Sequence, residues 1–435
     1  MTALPSPFPR APETARSIFT VMAAAACVPV AAGVVLFGWR AAMVSVLAVA
    51  GCLACQQVYA RIVRIPTASG RRVHALLTGI LLAATLPPWA PWYVPLVAAL
   101  FAIVVGKAVF GGVGHFLWQP ALVGRLAVAV LFSGPLAAPW DKYPQAFPVL
   151  APNHLVVGDV LQGRRVADNQ PWGETLLPAP AEAMVLRPTR TILGPLTRGD
   201  TPAFSALMDV PVPQDDDPTD DIPPTGGIPN AKPAALMKTV PIENLLWGTR
   251  PGGIGETCVL AIVLSGLYLV YRNFVRWTLP ATFIVTAAAV AALGPIQLAG
   301  PEGPVWGWGP AGGWSLANLF TPDWTLPPLL REGLAVGWLY VTYQLLGGEV
   351  LLAAFFLATE MTTRPVTAGG QAIFGLLGGA IAMTLQLYTD WPIPAYMAVL
   401  VMNTFVPTID ALWRPRVFGR RRAFFLPRRH RATQR

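Results

Sequence analysis

The chain has 435 residues, of which 54% are hydrophobic and only 12% are charged, and its formal net charge is +9. Because soluble domains carry about 25% charged residues, this composition argues against a soluble enzyme and favours a protein embedded in a lipid bilayer. The basic residues flank apolar segments, so their charge is explained by membrane topology, and we predict no nucleic-acid partner.

Ten apolar segments follow one another along the chain. A helix needs about 20 mostly apolar residues to cross a bilayer. We predict ten such helices, at residues 17–39, 41–60, 73–88, 91–108, 119–135, 254–274, 278–297, 336–358, 369–388 and 394–412. Five precede and five follow a long polar stretch. An odd number per half turns the second half upside down, so the predicted fold class is all-α integral membrane, with two inverted five-helix repeats.

The distribution of Lys and Arg orients these helices, because both residues are retained in the cytoplasm. The last 22 residues contain nine arginines, which places the C-terminus in the cytoplasm and, with ten spans, the N-terminus as well. The predicted regions are a disordered cytoplasmic N-terminus (1–16), a first five-helix half (17–135), an extracytoplasmic Pro- and Asp-rich segment (136–253), a second half (254–412) and a basic cytoplasmic tail (413–435).

A short motif occurs in both halves. Residues 106–114 read GKAVFGGVG and residues 370–378 read GQAIFGLLG, with five identical positions. Glycine clusters interrupt helices, and interrupted helices at membrane depth are tolerated where they line a cavity or a ligand. The other interpretation is close packing of helices through small residues. The matched positions favour a site formed by Gly111, Gly112 and Gly114, with Gly375 beside an ion path.

Ionisable residues inside apolar segments are costly and indicate function. The candidates are Lys107, Arg125, Glu256, Glu349, Glu360 and Asp410. Lys107 and Asp410 are near predicted helix ends, where a long side chain can also reach the membrane surface. Arg125 and Glu349 are deeper, at comparable positions of the two halves, and we predict that they pair with each other or with a ligand. The cysteines form no pattern with histidines, so no metal site is predicted.

Four stretches in order along the chain resemble the NqrB/RnfD family. They are residues 106–114, residues 251–257 (PGGIGET), residues 354–360 (AFFLATE) and residues 401–410 (VMNTFVPTID). The resemblance implies a ten-helix subunit of a bacterial inner-membrane redox complex, with both termini cytoplasmic and with other membrane and peripheral subunits as partners. It also implies electron transfer coupled to Na⁺ or H⁺ transport.

The resemblance further implies a bound flavin, riboflavin or FMN. Mapped onto this sequence, the cofactor-binding residues are Lys107, Gly111, Gly112, Gly114, Arg125, Glu256, Thr359 and Asn403, and the ion path includes Glu349, Gly375 and Asp410. No catalytic residue is predicted, because no glycine-rich nucleotide fingerprint follows a strand and opens a helix. The protein would therefore rely on its partners to supply and remove electrons.

One departure from the family concerns the flavin linkage. Family members carry a Ser/Thr-Gly-Ala-Thr motif on the outer segment, and its last threonine forms a phosphoester with FMN. The best-matching stretch here is residues 229–238 (PNAKPAALMK), in which Lys232 occupies the place of that threonine. Thr201 is a weaker candidate, farther upstream. A lysine amine cannot form the phosphoester, so we expect any flavin to be bound non-covalently.

Two alternatives remain open from the sequence. The first is a channel or transporter without redox chemistry, because inverted repeats serve solute passage equally well. The second is an ion-coupling subunit that has lost its redox cofactor. A flavin absorbance spectrum distinguishes both from the redox subunit.

Overall fold

The computed structural model describes residues 14–64, 69–136, 246–247, 253–294, 297–300, 303–306, 309–310, 324–325, 338, 341–342, 344–346, 349–389, 391 and 393–413. Its α-helices are α1 (Ala15–Phe37), α2 (Trp39–Ile62), α3 (Ser69–Thr85), α4 (Tyr93–Ile103), α5 (Pro120–Leu131), α6 (Ser133–Leu136), α7 (Val259–Tyr271), α8 (Thr278–Leu293), α9 (Val350–Leu352), α10 (Ala368–Tyr388) and α11 (Pro394–Leu412). Two π-helices, π1 (Val104–Ala108) and π2 (Ala353–Leu357), continue α4 and α9 directly.

The protein is a helical membrane protein. Four helices are long and apolar enough to cross a bilayer, namely α1, α2, residues 368–387 of α10, and α11. Each of the ten segments predicted from the sequence contains helical residues, and α11 has the predicted bounds. The count of ten spans and the inverted relation of the two halves stay predictions, because residues 137–245 and most of residues 311–348 lie outside the described part.

Local sequence signals set the helix ends. Thr14 caps α1 by accepting a hydrogen bond from the Ser17 amide at 3.2 Å. Gly38, with φ of 69°, ends α1 and lets α2 begin one residue later. Such a positive φ is unfavourable for residues with a Cβ atom, so glycine makes this turn between two long helices possible.

Four short strands lie between α8 and α9. They are β1 (Gln297–Gly300), β2 (Gly303–Trp306), β3 (Gly309–Pro310) and β4 (Trp324–Thr325), paired antiparallel as β1–β2 and β3–β4. The sequence there interleaves Gly and Pro with apolar residues, which disfavours helix and suits short hairpins. These hairpins are a local addition to the predicted all-α fold, since the membrane-spanning part of the described chain is helical.

A structural unit occurs twice in the described chain. In the first copy, α4 ends in π1, an irregular segment of eleven residues follows, and α5 begins at Pro120. In the second copy, α9 ends in π2, ten irregular residues follow, and α10 begins at Ala368. Both final helices are capped by a side chain, Gln119 in the first copy and Thr367 in the second. We call these the first and second π-loop units.

The sequence motif and the structural repeat do not coincide, which corrects the pairing of residues 106–114 with residues 370–378. Gly111, Gly112 and Gly114 lie in the loop of the first π-loop unit with φ of 97°, 103° and 93°. Gly375 lies inside α10, an uninterrupted helix. The structural counterpart of π1 is the phenylalanine-rich π2, so the shared letters come from two different uses of glycine.

The two halves pack against each other. In the first half α3 packs on α1 and α2, and α4 on α2 and α5. In the second half α10 packs on α8 and α11. Contacts of α1 with α7, and of α11 with α5, join the halves. Gly33 on α1 lies so close to Ile254 that a Cβ atom would be 1.7 Å from its carbonyl oxygen, so this approach between the halves requires glycine.

Candidate functional site

Two groups of buried polar side chains lie between the halves. The first, the His74 cluster, comprises His74, Lys107, Glu360 and Thr362. The second, the Arg125 cluster, comprises Arg125, Glu256, Tyr396 and the Thr85 carbonyl. A charged group within a membrane costs several kcal/mol unless it is paired or hydrogen-bonded, so each group needs a structural or functional reason.

A hydrogen bond between the halves forms the centre of the His74 cluster. His74 Nε2 lies 2.9 Å from Glu360 Oε1, and both side chains are almost completely buried. Thr362 Oγ1 donates to the same carboxylate oxygen at 3.2 Å. His74 is also enclosed by the rings of Phe19 and Phe116, with centroids 5.0 and 5.3 Å away. These contacts hold the imidazole in one orientation, with Nε2 facing the carboxylate.

Lys107 completes the charge distribution of this cluster. It projects from π1, its side chain is 2% exposed, and Nζ makes no hydrogen bond within the described part of the chain. Its charge acts on His74, Glu360 and Cys52. The π-helix explains this position, because the widened turn re-aims one residue relative to an α-helix, and such single turns are frequent at functional sites.

Asn403 on α11 links the two π-loop units. In the amide orientation that satisfies both neighbours, Nδ2 donates to the Thr363 carbonyl at 3.3 Å and Oδ1 accepts from the Gln119 amide at 3.1 Å. The side chain is completely buried. At the next position of α11, Thr404 Oγ1 accepts from Trp118 Nε1 at 3.0 Å. Asn403 therefore holds the ends of both loops together.

The Arg125 cluster is built on the end of α3. The last carbonyls of a helix have no partner within the helix. Here Ala84 and Leu86 accept from the amides of Gly255 and Ile254 at 2.8 and 2.9 Å, and Thr85 accepts from Arg125 Nε at 2.9 Å. The second-half segment before α7 thus completes a first-half helix.

Glu256 binds back onto its own segment and onto α11. Oε2 accepts from the Gly253 amide at 3.0 Å, and Oε1 accepts from the Tyr396 hydroxyl. A Cβ at position 253 would touch the carboxylate, so glycine is required there. The charges of Glu256, Glu349 and Arg125 all act on Tyr396. This arrangement brings the deep Arg125 and Glu349 of the sequence analysis into one electrostatic neighbourhood.

Two helices run between the clusters. α3 carries His74 near one end and Thr85 at the other, and α11 carries Asn403 and Tyr396. The latter two residues are two helical turns apart, which corresponds to about 10 Å along the axis. The clusters therefore lie at different depths of one helical bundle, connected by rigid elements.

The predicted cofactor residues divide between these places. Lys107 belongs to the His74 cluster, and Thr359 is buried next to Glu360 and donates to the Phe355 carbonyl at 2.6 Å, which closes π2. Asn403 joins the two loops. Arg125 and Glu256 belong to the other cluster. The three remaining residues form an open turn, in which added Cβ atoms would meet nothing within 4 Å, namely Gly111, Gly112 and Gly114.

The predicted ion-path residues do not form one group. Glu349 precedes α9 and acts electrostatically on Tyr396. A Cβ on Gly375 would lie 2.1 Å from Thr282 Oγ1, so this glycine serves helix packing between α10 and α8. Asp410 Oδ1 accepts from the Val366 amide at 3.1 Å near the protein surface. Their part in ion transport stays a prediction, as does the binding of flavin.

The two candidates for covalent attachment of flavin, Thr201 and Lys232, lie outside the described residues. The structure therefore leaves the sequence prediction on the linkage as it stands.

Two residues of the clusters were missed by the sequence analysis. His74 is near the start of a segment with two arginines, where it looks like a membrane-flanking residue, and Tyr396 looks like an interfacial aromatic. The signal that could have found them is pairing, since Glu360 and Glu256 are buried acids that need a donor. Across the described ranges, no group of three or more His, Cys, Asp or Glu side chains is arranged to hold a metal ion.

The fold and these clusters define a multi-helix membrane protein whose buried ionisable groups join two halves. Comparison with known proteins identifies the family. The model described as "NQR2, RnfD, RnfE family" matches residues 2–419, so the chain belongs to this family.

Individual relatives all carry the name of one and the same component of an ion-translocating oxidoreductase complex. The chain is similar to the Halorhodospira halophila protein, with 30% identity over 96% of this chain and 95% of the relative. It is similar to the Stutzerimonas stutzeri protein, with 30% identity over 89% and 87%. The Cronobacter sakazakii protein is 28% identical over 88% and 89%.

Proposed function

We propose that this chain is a membrane subunit of an ion-translocating oxidoreductase complex, the role for which its relatives are named. The observation that carries the proposal is the family match over residues 2–419. The buried charged clusters support it, because ionisable groups inside a membrane mark ion or proton pathways. The coupled ion is Na⁺ or H⁺.

The proposed setting is the bacterial inner membrane, with both termini in the cytoplasm and residues 136–253 outside. Support comes from the nine arginines of the tail, which favour cytoplasmic retention. Reporter fusions test this topology. A phosphatase fused at Asp216 should be active and a fluorescent protein fused at Arg435 should be bright. Cytoplasmic accessibility of Asp216 would rule out the inverted arrangement of two halves.

The proposed cofactor is a non-covalently bound flavin, which supplies one- and two-electron transfer. Among the described residues, Arg125 fits such a group, because its Nη1 is buried and makes no hydrogen bond while Nε is fixed by Thr85. A guanidinium suits a phosphate oxygen or a ring carbonyl. Tight contacts at Gly253 and Gly255 leave no space for a three-ring system inside that segment, so only an edge of the flavin would reach Arg125.

A flavin assay tests this proposal directly. The purified complex is precipitated with acid, and flavin is measured by absorbance in the supernatant and in the pellet. We expect flavin in the supernatant, in an amount that falls in Arg125→Ala and is retained in the control Arg16→Ala. Flavin absent from both fractions would favour an ion-coupling subunit without a redox cofactor.

The proposed partners are other membrane and peripheral subunits, since the relatives are named as part of a complex. An affinity tag on this chain should copurify proteins that restore electron transfer. If the chain is purified alone and still moves ions in liposomes without an electron donor, the channel or transporter interpretation replaces the redox one.

A further inference from the structure

The ionisable side chains of the His74 cluster form a site that binds a single proton. We propose that this proton is shared between Lys107 and His74, with Glu360 as their fixed counter-charge, and that it is the ion bound on this face of the bundle. The last part rests on the proposed function, because it assigns H⁺ as a coupled ion. The proton-binding site itself stands on the geometry alone.

The hydrogen bonds fix the role of each atom. Thr78 Oγ1 donates to the His74 carbonyl at 2.9 Å, so its oxygen can only accept from the imidazole, where Nδ1 lies 3.4 Å away. Glu360 Oε1 accepts from Thr362 and also accepts from His74 Nε2. Both ring nitrogens thus face acceptors. The doubly protonated imidazolium fits this position, and loss of a proton from Nδ1 breaks only the weaker contact.

The charge balance limits the cluster to one mobile proton. Glu360 carries one negative charge, which compensates one cation. If Lys107 is an ammonium, His74 is neutral, and if His74 is an imidazolium, Lys107 is a neutral amine. Two cations at once would leave an uncompensated positive charge in a buried site, which is strongly unfavourable. In the transfer, an N–H bond of Lys107 breaks and an N–H bond at His74 Nδ1 forms, while Glu360 is unchanged.

The described surroundings contribute one further charged group and no second acid. Besides Lys107 and Glu360, the groups that act on the cluster are Cys52 from α2 and Arg71 from the previous turn of α3. α1 and the first loop present Phe19 and Phe116. A further cation makes double protonation of the cluster less favourable still, which strengthens the limit of one shared proton.

The ligand chemistry distinguishes a proton from a metal cation at this place. A sodium ion prefers a cage of oxygen ligands, as hard cations do. Here two of the three ionisable side chains are nitrogen bases, His74 and Lys107, and the carboxylate oxygen Oε1 of Glu360 already accepts two hydrogen bonds. A proton is therefore the better ligand for this cluster.

A spectroscopic experiment tests the site without any enzymatic activity. The full chain, labelled at the ring nitrogens of histidine, is reconstituted in liposomes and observed by solid-state magnetic resonance. The sequence contains only four histidines, and His115 is exposed, so His74→Gln and His115→Gln assign the signals. At neutral pH we expect Lys107→Met to raise the doubly protonated share of His74, because the proton has lost its other carrier.

Equal protonation of His74 in the native chain and in Lys107→Met would overturn the shared-proton site. If Lys107→Met does not fold, Glu360→Gln gives the decisive result. We expect the doubly protonated His74 signal to disappear in that variant, and its persistence would equally contradict the proposal. His115→Gln should leave the His74 signal unchanged in both backgrounds.

A second experiment tests the assignment of H⁺ as coupled ion. Membrane vesicles containing the whole complex are energised with its electron donor in Na⁺-free medium, and proton movement is followed with a pH-sensitive dye. We expect His74→Gln to abolish proton movement while electron transfer continues, and His115→Gln to change neither. Proton movement that survives His74→Gln would remove the site from the path. Absence of electron transfer in the native complex would overturn the proposed function and leave the spectroscopic result standing.

Discussion

The two π-loop units share one architecture but differ in what they present. The first has Lys107 in π1, followed by an open turn with three glycines of positive φ. The second has phenylalanines in π2, followed by a loop with the buried side chains of Thr359, Glu360 and Thr363. One unit therefore supplies a cation and an accessible turn, and the other supplies the buried acid. The comparison teaches that a repeated backbone can be specialised into complementary halves of one charged cluster.

The strongest test of this complementarity removes the acid of the second unit. Glu360→Leu leaves His74 without its acceptor and Lys107 without a counter-charge, and breaking such a buried pair costs about 3–5 kcal/mol. Lys107→Met should cost much less, or even stabilise, because Nζ makes no hydrogen bond among the described residues. Thermal unfolding of the detergent-solubilised protein, followed by size-exclusion chromatography, measures both. Equal losses would mean that the two units contribute symmetrically.

A second test contrasts the two uses of glycine. Gly375→Leu should destabilise by about 1–3 kcal/mol or more through overpacking, because its Cβ would meet Thr282 at 2.1 Å. Gly112→Leu has open space, so we expect the complex to assemble but ion movement to fall, with a backbone cost of about 1–2 kcal/mol from the positive φ.

Gly70→Ala is the matched control, since no atom lies within 4 Å of its added Cβ and its φ is not positive. Assembly yield and ion movement in vesicles are read from the same preparations. Loss of assembly in Gly112→Leu would instead assign the first glycine turn to packing.

A third test compares the charges at the other depth of the bundle. Arg125→Ala and Glu349→Ala should each lower stability, and the double variant should be less damaged than their sum, with a coupling of about 0.5–3 kcal/mol. The physical reason is that both charges act on Tyr396 in one buried neighbourhood. A double-mutant cycle from thermal unfolding measures the coupling. Strict additivity would show that the two residues act independently, and Arg125 would then be left for a ligand.

The smallest expected effect concerns the covalent linkage. Denatured protein should show no flavin fluorescence in a gel, because Lys232 stands where a phosphoester needs a threonine. Thr201→Ala should leave this result unchanged. A fluorescent band in the native chain that disappears in Thr201→Ala would make Thr201 the attachment site.

Sequence reasoning located the helices better than the contacts between them. Apolar length predicts a span wherever residues such as 394–412 must avoid water, and α11 has those bounds. The partner of Glu360 could not be found in this way, because His74 precedes it by 286 positions and the two meet only through packing.

The glycine motif misled for a related reason. Letters record the absence of a side chain, but two different physical grounds can require that absence. At Gly375 the ground is close contact between helices, and at Gly112 it is a positive φ in a loop. Only the backbone geometry separates these two cases, so matching letters could not establish matching roles.

The capping of α3 has a consequence for how the chain is made. Three carbonyls at the end of this helix, Ala84, Thr85 and Leu86, receive donors from Gly255, Arg125 and Ile254. Two of these donors follow the helix by about 170 residues, and at about 5–20 residues per second the ribosome needs about 10–30 s to deliver them. During that interval the early helices wait in the bilayer with an uncapped end, a window in which an insertion chaperone could shield α3 before the later half seals it.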